Sequence, residues 1–176
     1  FGNAILVIRL QPPDVRRKIY DEKYLGRDLP VRFDYSDSGF AAENTWKIGD
    51  QRSITNFVEL LQFSDVLINI ASTMTLDAVL FDTPVLCLNF NLLPKNAWNA
   101  AHRHHQYPHF THIINSGAVT QVDNMSELIN GINHSIKDPG YKSSERENLR
   151  KILTPDLPTG LLISDSIQNT IEHFRT

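Results

Sequence analysis

Short apolar runs alternate along the chain with segments in which apolar residues recur every three or four positions. The runs have the length of strands, and the periodic segments have the spacing of amphipathic helices. Strands are predicted at residues 4–10, 31–35, 66–70, 84–89 and 119–122. Helices are predicted from residue 14 and at 54–61, 72–81, 124–136, 141–153 and 164–174. This order predicts an α/β fold, a Rossmann-like parallel sheet of about six strands with helices on both faces.

Capping signals and burial patterns add detail to these elements. The run at residues 4–10 lies before two prolines and predicts a buried parallel strand. Ser53 is expected to cap the helix at 54–61, and Asn124 and Glu127 have the spacing of a capping box. The helix at 141–153 is expected to be exposed. The residues of the 124–136 helix that are expected to face inward are Met125, Leu128, Ile132 and Ile136.

Composition and charge narrow the class of protein. Of 176 residues, 41% are apolar and 21% are charged, which is typical of one ordinary globular domain. No apolar run reaches the ~20 residues of a membrane-spanning helix. The 17 basic and 20 acidic residues leave a net charge of −3, which argues against a non-specific nucleic-acid binder. A single cysteine, Cys87, excludes an intrachain disulfide and indicates a reducing, cytoplasmic compartment; we expect it to be buried.

The beginning of the chain shapes the domain prediction. The sequence starts at Phe1 and enters the first predicted strand almost directly. We therefore expect residues 1–176 to be one domain of a longer protein, with membrane association only through parts outside this sequence.

The most informative segment is the strand at 66–70 with the turn and helix that follow it. Ligands of parallel sheets bind beyond the carboxyl ends of the strands. Ser72 and Thr73 offer hydroxyl groups there, and the first N–H groups of a helix favour an anion such as phosphate. Asp77 lies about 7 Å further along the helix, where a carboxylate can hold ribose hydroxyls. The alternative is that the two hydroxyls are ordinary caps and Asp77 is a solvated surface residue.

This segment resembles the nucleotide-binding element in the carboxyl-terminal half of GT-B glycosyltransferases. Their relatives include sugar-nucleotide 2-epimerases and CDP-glycerol glycerophosphotransferases. The resemblance implies one half of a GT-B architecture, diphosphate binding by Ser72 and Thr73, and ribose binding by Asp77. The matching residues are Ser64-Asp65-Val66, Ser72-Thr73, Asp77-Ala78 and Pro84-Val85.

A second point of resemblance follows the first strand. Many relatives carry Arg-x-His-Pro there, and this chain reads Arg9-Leu10-Gln11-Pro12. The resemblance implies that Arg9 and Gln11 lie near the diphosphate. An amide donates a hydrogen bond but does not titrate, so Gln11 departs from the family in its acid–base chemistry. A surface charge at a strand end is the alternative for Arg9.

Residues 91–111 have no clear period and predict a long loop, and five of the seven histidines lie within 102–112. The resemblance implies a donor-side loop in which Tyr107 and either His109 or His112 face the nucleotide. A metal site and a plain surface loop are the alternatives; we expect no metal, because the cluster lacks cysteine and helical ligand spacing.

In the polar loop predicted at 36–50, the resemblance places Trp46 and Ile48 near the base. A buried core tryptophan is the alternative for Trp46.

The resemblance thus implies an enzyme domain that binds a nucleoside-diphosphate sugar, UDP-linked for example, and needs no cofactor. The binding site for the sugar acceptor and any catalytic base would belong to a missing amino-terminal domain. A sugar-nucleotide epimerase or a glycerophosphotransferase shares the same motif. A non-catalytic α/β interaction module shares the fold without the anion site.

Overall fold

The described residues form two parallel sheets, one in each of two units, together with helices and a short antiparallel pair of strands. The computed structural model describes residues 4–10, 30–35, 39–40, 46–47, 50–91, 100–154 and 164. The chain divides into two units, Phe1–Leu60 and Leu61–Thr176, which are taken separately below. The single domain over residues 1–176 stays a prediction. The predicted helices that start at residue 14 and follow residue 164 lie outside the described residues; Ser164 itself is helical.

The first unit contains a parallel pair of strands. Strands β1 (Leu6–Leu10) and β2 (Val31–Tyr35) pair from Leu6 opposite Val31 to Leu10 opposite Tyr35. The parallel direction of β1 agrees with the prediction. The predicted burial of β1 was wrong, because Ile5, Leu6 and Val7 are exposed. The segment predicted as a polar loop contains two short antiparallel strands, β3 (Gly39–Phe40) and β4 (Trp46–Lys47).

Helix α1 (Gln51–Gln62) begins earlier than its apolar pattern indicates. The Asp50 carboxylate accepts a hydrogen bond of 2.8 Å from the Ser53 backbone N–H. This bond holds the pKa of Asp50 below its usual range. Asp50 is therefore the cap, and the prediction for Ser53 was wrong because the first turn carries polar residues that the apolar period does not register.

The second unit is a three-stranded parallel sheet in the order β5–β6–β7. Its strands are β5 (Leu67–Asn69), β6 (Val85–Leu88) and β7 (Thr120–Val122). Its helices are α2 (Met74–Leu80), α3 (Ala101–His105), α4 (Pro108–Asn115), α5 (Met125–Lys137) and α6 (Ser143–Leu153). The mixed α/β class is confirmed. Within the described residues, however, parallel pairing gives sheets of two and three strands rather than one sheet of about six.

The histidine-rich segment is helical where it is described, so the prediction of a long irregular loop was wrong. Helices α3 and α4 cover most of residues 101–115, and Tyr107 between them is extended. Pro108 is the first residue of α4, where its missing N–H costs nothing. Phe110 and Ile113 are buried three positions apart. The proline divides this apolar period into two parts that are too short to recognise from sequence.

The core of the second unit surrounds β6. Val85, Leu86 and Cys87 are almost fully buried, together with Ala78 and Val79 of α2. Burial raises the pKa of the Cys87 thiol to about 12. The expectation of a buried cysteine is confirmed.

Helix α5 has the predicted capping box but faces the sheet differently than expected. Asn124 Oδ1 accepts from the Glu127 N–H at 2.9 Å, and the Glu127 carboxylate accepts from the Asp123 N–H at 2.8 Å. A Cβ atom on Gly131 would lie 3.1 Å from both methyl carbons of Leu86, so the backbone approaches the sheet at this glycine. Ser135 is buried on the same side. Met125, Ile129 and Ile136 are exposed, two of which were expected to face inward, whereas Leu128 and Ile132 are partly buried.

Arg146 connects α6 to the turn that precedes β6. Its side chain is 2% exposed, and its Nε donates to Asp82 Oδ1 at 2.6 Å. Its other nitrogens donate to the carbonyl oxygens of Tyr141 and Pro139 at 2.7 and 2.9 Å. Asp82 has a φ of 57°, a left-handed conformation that aspartate tolerates better than most residues. The prediction of an exposed helix was therefore wrong for one face of α6, where Arg146 and Leu149 are buried.

We expect Arg146→Ala to lower the free energy of unfolding by about 3 kcal/mol, because it removes a buried partner of Asp82 and uncovers two carbonyl groups. Chemical denaturation measures this change. Arg150→Ala is the matched control, since Arg150 lies on the same helix in an exposed ion pair with Glu147. Equal effects of the two substitutions would contradict a central role for Arg146.

Candidate functional site

The turn between β5 and α2 lies at the carboxyl edge of the three-stranded sheet and is held by its own polar side chains. Asn69, the last residue of β5, donates through Nδ2 to the Thr75 hydroxyl at 3.0 Å. Its Oδ1 accepts from the Ser72 N–H at 3.4 Å. Thr75 is fully buried. The strand end and the first turn of α2 are thereby connected beneath the residues that were predicted to bind phosphate.

Ser72 is the residue that caps α2. Its Oγ accepts from the Met74 N–H at 3.2 Å, and its carbonyl accepts from the Thr75 N–H at 3.0 Å. The Leu76 N–H donates to the Thr73 carbonyl at 2.9 Å. Three N–H groups of the first turn therefore already have partners. The Ser72 hydroxyl proton and the Thr73 hydroxyl, which makes no capping bond, are left for a ligand.

Asp77 lies one turn beyond Thr73 on α2, and residues four apart share one face of a helix. Its carboxylate is half-buried, and desolvation raises its pKa. Within the described residues it forms neither an ion pair nor a hydrogen bond. A partly buried carboxylate without donors is well suited to accept hydrogen bonds from hydroxyl groups of a ligand.

His105 brings α3 against this turn. Its Nε2 lies 2.5 Å from the Ile70 carbonyl oxygen, and its Nδ1 lies 2.8 Å from Nε2 of Gln121 in β7. The imidazole is 7% exposed and lies beside the Phe110 ring. The histidine-rich segment and the Ser72 turn are therefore neighbours in the structure.

Two residues beyond His105, an exposed pair of rings extends from the start of α4. The rings of Tyr107 and His109 stack with their centroids 5.8 Å apart and their planes at 13°. We call these two residues the aromatic ledge. His112 is exposed further along α4. In the part of the chain that the structure describes, no three histidine, cysteine or acidic side chains converge on a point where they could hold a metal.

The remaining predicted site residues belong to the first unit. Arg9 forms an ion pair with Asp34, and its guanidinium carbon lies 4.5 Å from the centroid of the Phe57 ring. Trp46 begins β4. Gln11 and Ile48 lie outside the described residues. The carboxylate beside Arg9 already neutralises its charge, which reduces what Arg9 can offer a diphosphate.

Three residues that support the turn through hydrogen bonds were given no role in the sequence analysis: Asn69, His105 and Gln121. A usable signal exists for Asn69, an amide within the apolar strand predicted at 66–70. A partly buried amide in such a strand needs hydrogen-bond partners, which indicates a polar cluster there. Gln121 carries no comparable signal, because it is exposed and follows Thr120 in its strand. His105 carries no such signal, because the sequence does not distinguish it from its neighbouring histidines.

Comparison of the chain with protein-family models, curated proteins and solved structures finds no match. None of the helices in the described ranges is long and apolar enough to cross a lipid bilayer.

Two substitutions in the turn should separate its structural hydroxyl from its free one. Ser72→Ala should lower the free energy of unfolding by about 1 kcal/mol, because it removes the cap of α2. Thr73→Val should change it by less than about 0.5 kcal/mol, because the Thr73 hydroxyl makes no capping bond. Thermal or chemical denaturation measures both, and a larger loss for Thr73→Val would show that the two roles are reversed.

Asp77→Asn should make the protein more stable at pH 7. Folding raises the pKa of Asp77, so the folded state binds the proton more tightly than the unfolded chain and loses stability as pH rises through the folded-state pKa. The gain should shrink as the pH falls toward the ordinary aspartate value of about 3.9. Denaturation across this pH range measures it, with the exposed Asp65→Asn as control; an unchanged or lowered stability at pH 7 would argue that Asp77 is a structural carboxylate.

Proposed function

We propose that this chain is the donor-binding domain of a GT-B-type glycosyltransferase and binds a nucleoside-diphosphate sugar at the turn between β5 and α2. The observation that carries the proposal is Asp77, a half-buried carboxylate of raised pKa without a partner in the described part of the chain. It lies at the carboxyl edge of a parallel sheet, where such folds bind ligands. Its position and chemistry match the ribose-binding acid that the resemblance implies.

The neighbouring groups fit the other parts of a nucleotide. A ribose supplies two vicinal hydroxyl donors, and Asp77 supplies the acceptor that they need. The hydroxyl protons of Ser72 and Thr73 are available to diphosphate oxygens, while the N–H groups of Met74, Thr75 and Leu76 are occupied. The proposed contacts with the phosphates are therefore made mainly by hydroxyl groups rather than by backbone N–H groups.

The aromatic ledge is the proposed contact for the base or the sugar. A hydrogen bond from His105 to Ile70 holds α3 beside the turn, and Tyr107 follows His105 by two residues. Exposed stacked rings offer a flat apolar surface to a nucleobase. The roles that the resemblance implies for Arg9, Gln11, Trp46 and Ile48 stay predictions.

In the proposed reaction, the domain stabilises the departing nucleoside diphosphate. Negative charge increases on the diphosphate as the bond to the sugar breaks. Donors that are already oriented toward that charge stabilise the transition state, and they are most effective where water is excluded. The hydrogen bonds of Asn69, Ser72 and His105, which hold the turn, support the first condition.

Titration calorimetry with UDP, CDP, GDP and inorganic diphosphate tests the proposal. Asp77→Ala should weaken binding of the preferred nucleoside diphosphate by roughly 2–3 kcal/mol, because two hydrogen bonds to a charged acceptor are lost. Binding of inorganic diphosphate should be nearly unchanged. Asp65→Ala, an exposed substitution in the same unit, is the matched control, and circular dichroism checks that each variant is folded.

Two outcomes would count against the proposal. Equal affinity of wild type and Asp77→Ala for the nucleotide would remove Asp77 from the ribose site. Absence of binding of all three nucleoside diphosphates at millimolar concentration would favour a non-catalytic interaction module.

A further inference from the structure

A buried imidazole lies where four elements of the second unit meet. His105 ends α3, its Nε2 contacts the Ile70 carbonyl oxygen after β5, and its Nδ1 contacts Gln121 in β7. The Thr111 hydroxyl of α4 donates to the His105 carbonyl at 3.2 Å. Both ring nitrogens and the main-chain carbonyl are therefore occupied by contacts within the protein.

The partners determine the form of the imidazole. A carbonyl oxygen only accepts, so the nitrogen that faces Ile70 must carry a proton. The Gln121 amide N–H donates to the other nitrogen, which therefore has none. A neutral ring protonated on Nε2 satisfies both contacts at once.

The Ile70 carbonyl needs this partner because of its place in the chain. Strand β5 ends at Asn69, so Ile70 lies beyond the residues that pair with β6. Ala71 and Ser72, which follow, have small side chains that bury little apolar surface. The conformation of the turn therefore depends on a few hydrogen bonds: those of Asn69 and Ser72 within the turn, and that of His105 from outside it.

We infer that His105 is the positioning residue of the site: through Ile70 it sets the conformation in which the turn presents Ser72 and Thr73, and through its own helix it sets the distance from the turn to the aromatic ledge. The second half of this inference rests on the proposed function, and the first half does not. His105 touches no ligand in this role. It acts through the backbone of Ile70 on one side and through Tyr107, two residues along the chain, on the other.

Three variants of the full chain test the inference. His105→Phe keeps the ring beside Phe110 but removes both hydrogen bonds. His105→Gln can still donate from its own Nε2 to the Ile70 carbonyl. Thr83→Val is the matched control, because it also removes a buried hydrogen bond, the one of 2.8 Å from the Thr83 hydroxyl to the Leu61 carbonyl oxygen. Thr83 precedes β6 and therefore lies at the opposite edge of the same sheet.

Two measurements are made on each variant. Amide hydrogen exchange of Ala71, Ser72 and Thr73 in the ligand-free protein reports the turn directly. Calorimetry with UDP, CDP and GDP reports the site at a temperature where every variant is folded. A loss of general stability would affect Thr83→Val as well, whereas loss of positioning would not.

For His105→Phe we expect faster exchange in the turn and about tenfold weaker nucleoside-diphosphate binding, as for the loss of one well-oriented hydrogen bond. His105→Gln should restore most of both, and Thr83→Val should resemble the wild type in both. Unchanged turn exchange in His105→Phe, or an equal loss of affinity in Thr83→Val, would overturn the inference. If the wild type binds none of the nucleotides, the proposed function fails, and turn exchange alone decides whether His105 holds the turn.

Discussion

Parallel pairing of β5, β6 and β7 is the constraint on which the second unit depends. Strands that run in one direction all begin at one edge of the sheet and all end at the other, so their connections fall into two groups. The amino edge carries Thr83 and the ion pair of Asp82 with buried Arg146. The carboxyl edge carries the turn with Ser72 and Asp77. The first edge uses its charged group in a closed set of hydrogen bonds, and the second leaves a carboxylate without a donor.

That difference has an energetic consequence. A buried guanidinium that donates to a carboxylate and two carbonyl groups has its desolvation offset by those bonds. A half-buried carboxylate without donors has no such compensation, which is why its pKa rises. A fold optimised only for stability would place an amide or an apolar residue at position 77. Under the proposed function, a ligand that is present only part of the time supplies the missing hydrogen-bond donors.

The sequence predicted the elements whose signals are local, and it failed where tertiary contacts decide. Strand β5, helix α2, the capping box of Asn124 and the burial of Cys87 follow from neighbouring residues alone. The cap at Asp50 was missed because polar first turns carry no apolar period. The face of α5 was predicted only in part, because its close approach to the sheet is at Gly131, which has no apolar side chain to register in the pattern. The predicted number of strands in the sheet was wrong for a similar reason, because strand pairing depends on contacts between residues that are distant in sequence. For the candidate site, the motif identified Ser72 and Asp77, but the supporting contacts of His105 are long-range.

The hydrogen bonds at the carboxyl edge divide its polar groups by task. Asn69 and His105 use their side chains on the turn itself, and Gln121 holds the ring of His105. Ser72 does both, because its oxygen accepts from Met74 while its proton stays free. The Thr73 hydroxyl and the Asp77 carboxylate have no structural bond among the described residues. Groups held in place before binding require little reordering when a ligand arrives, so more of each contact appears as affinity. Under the proposed function, this benefit applies to the turn that Asn69, Ser72 and His105 hold, and Asp77 on the helix that follows supplies the acceptor for the ligand's hydroxyl groups.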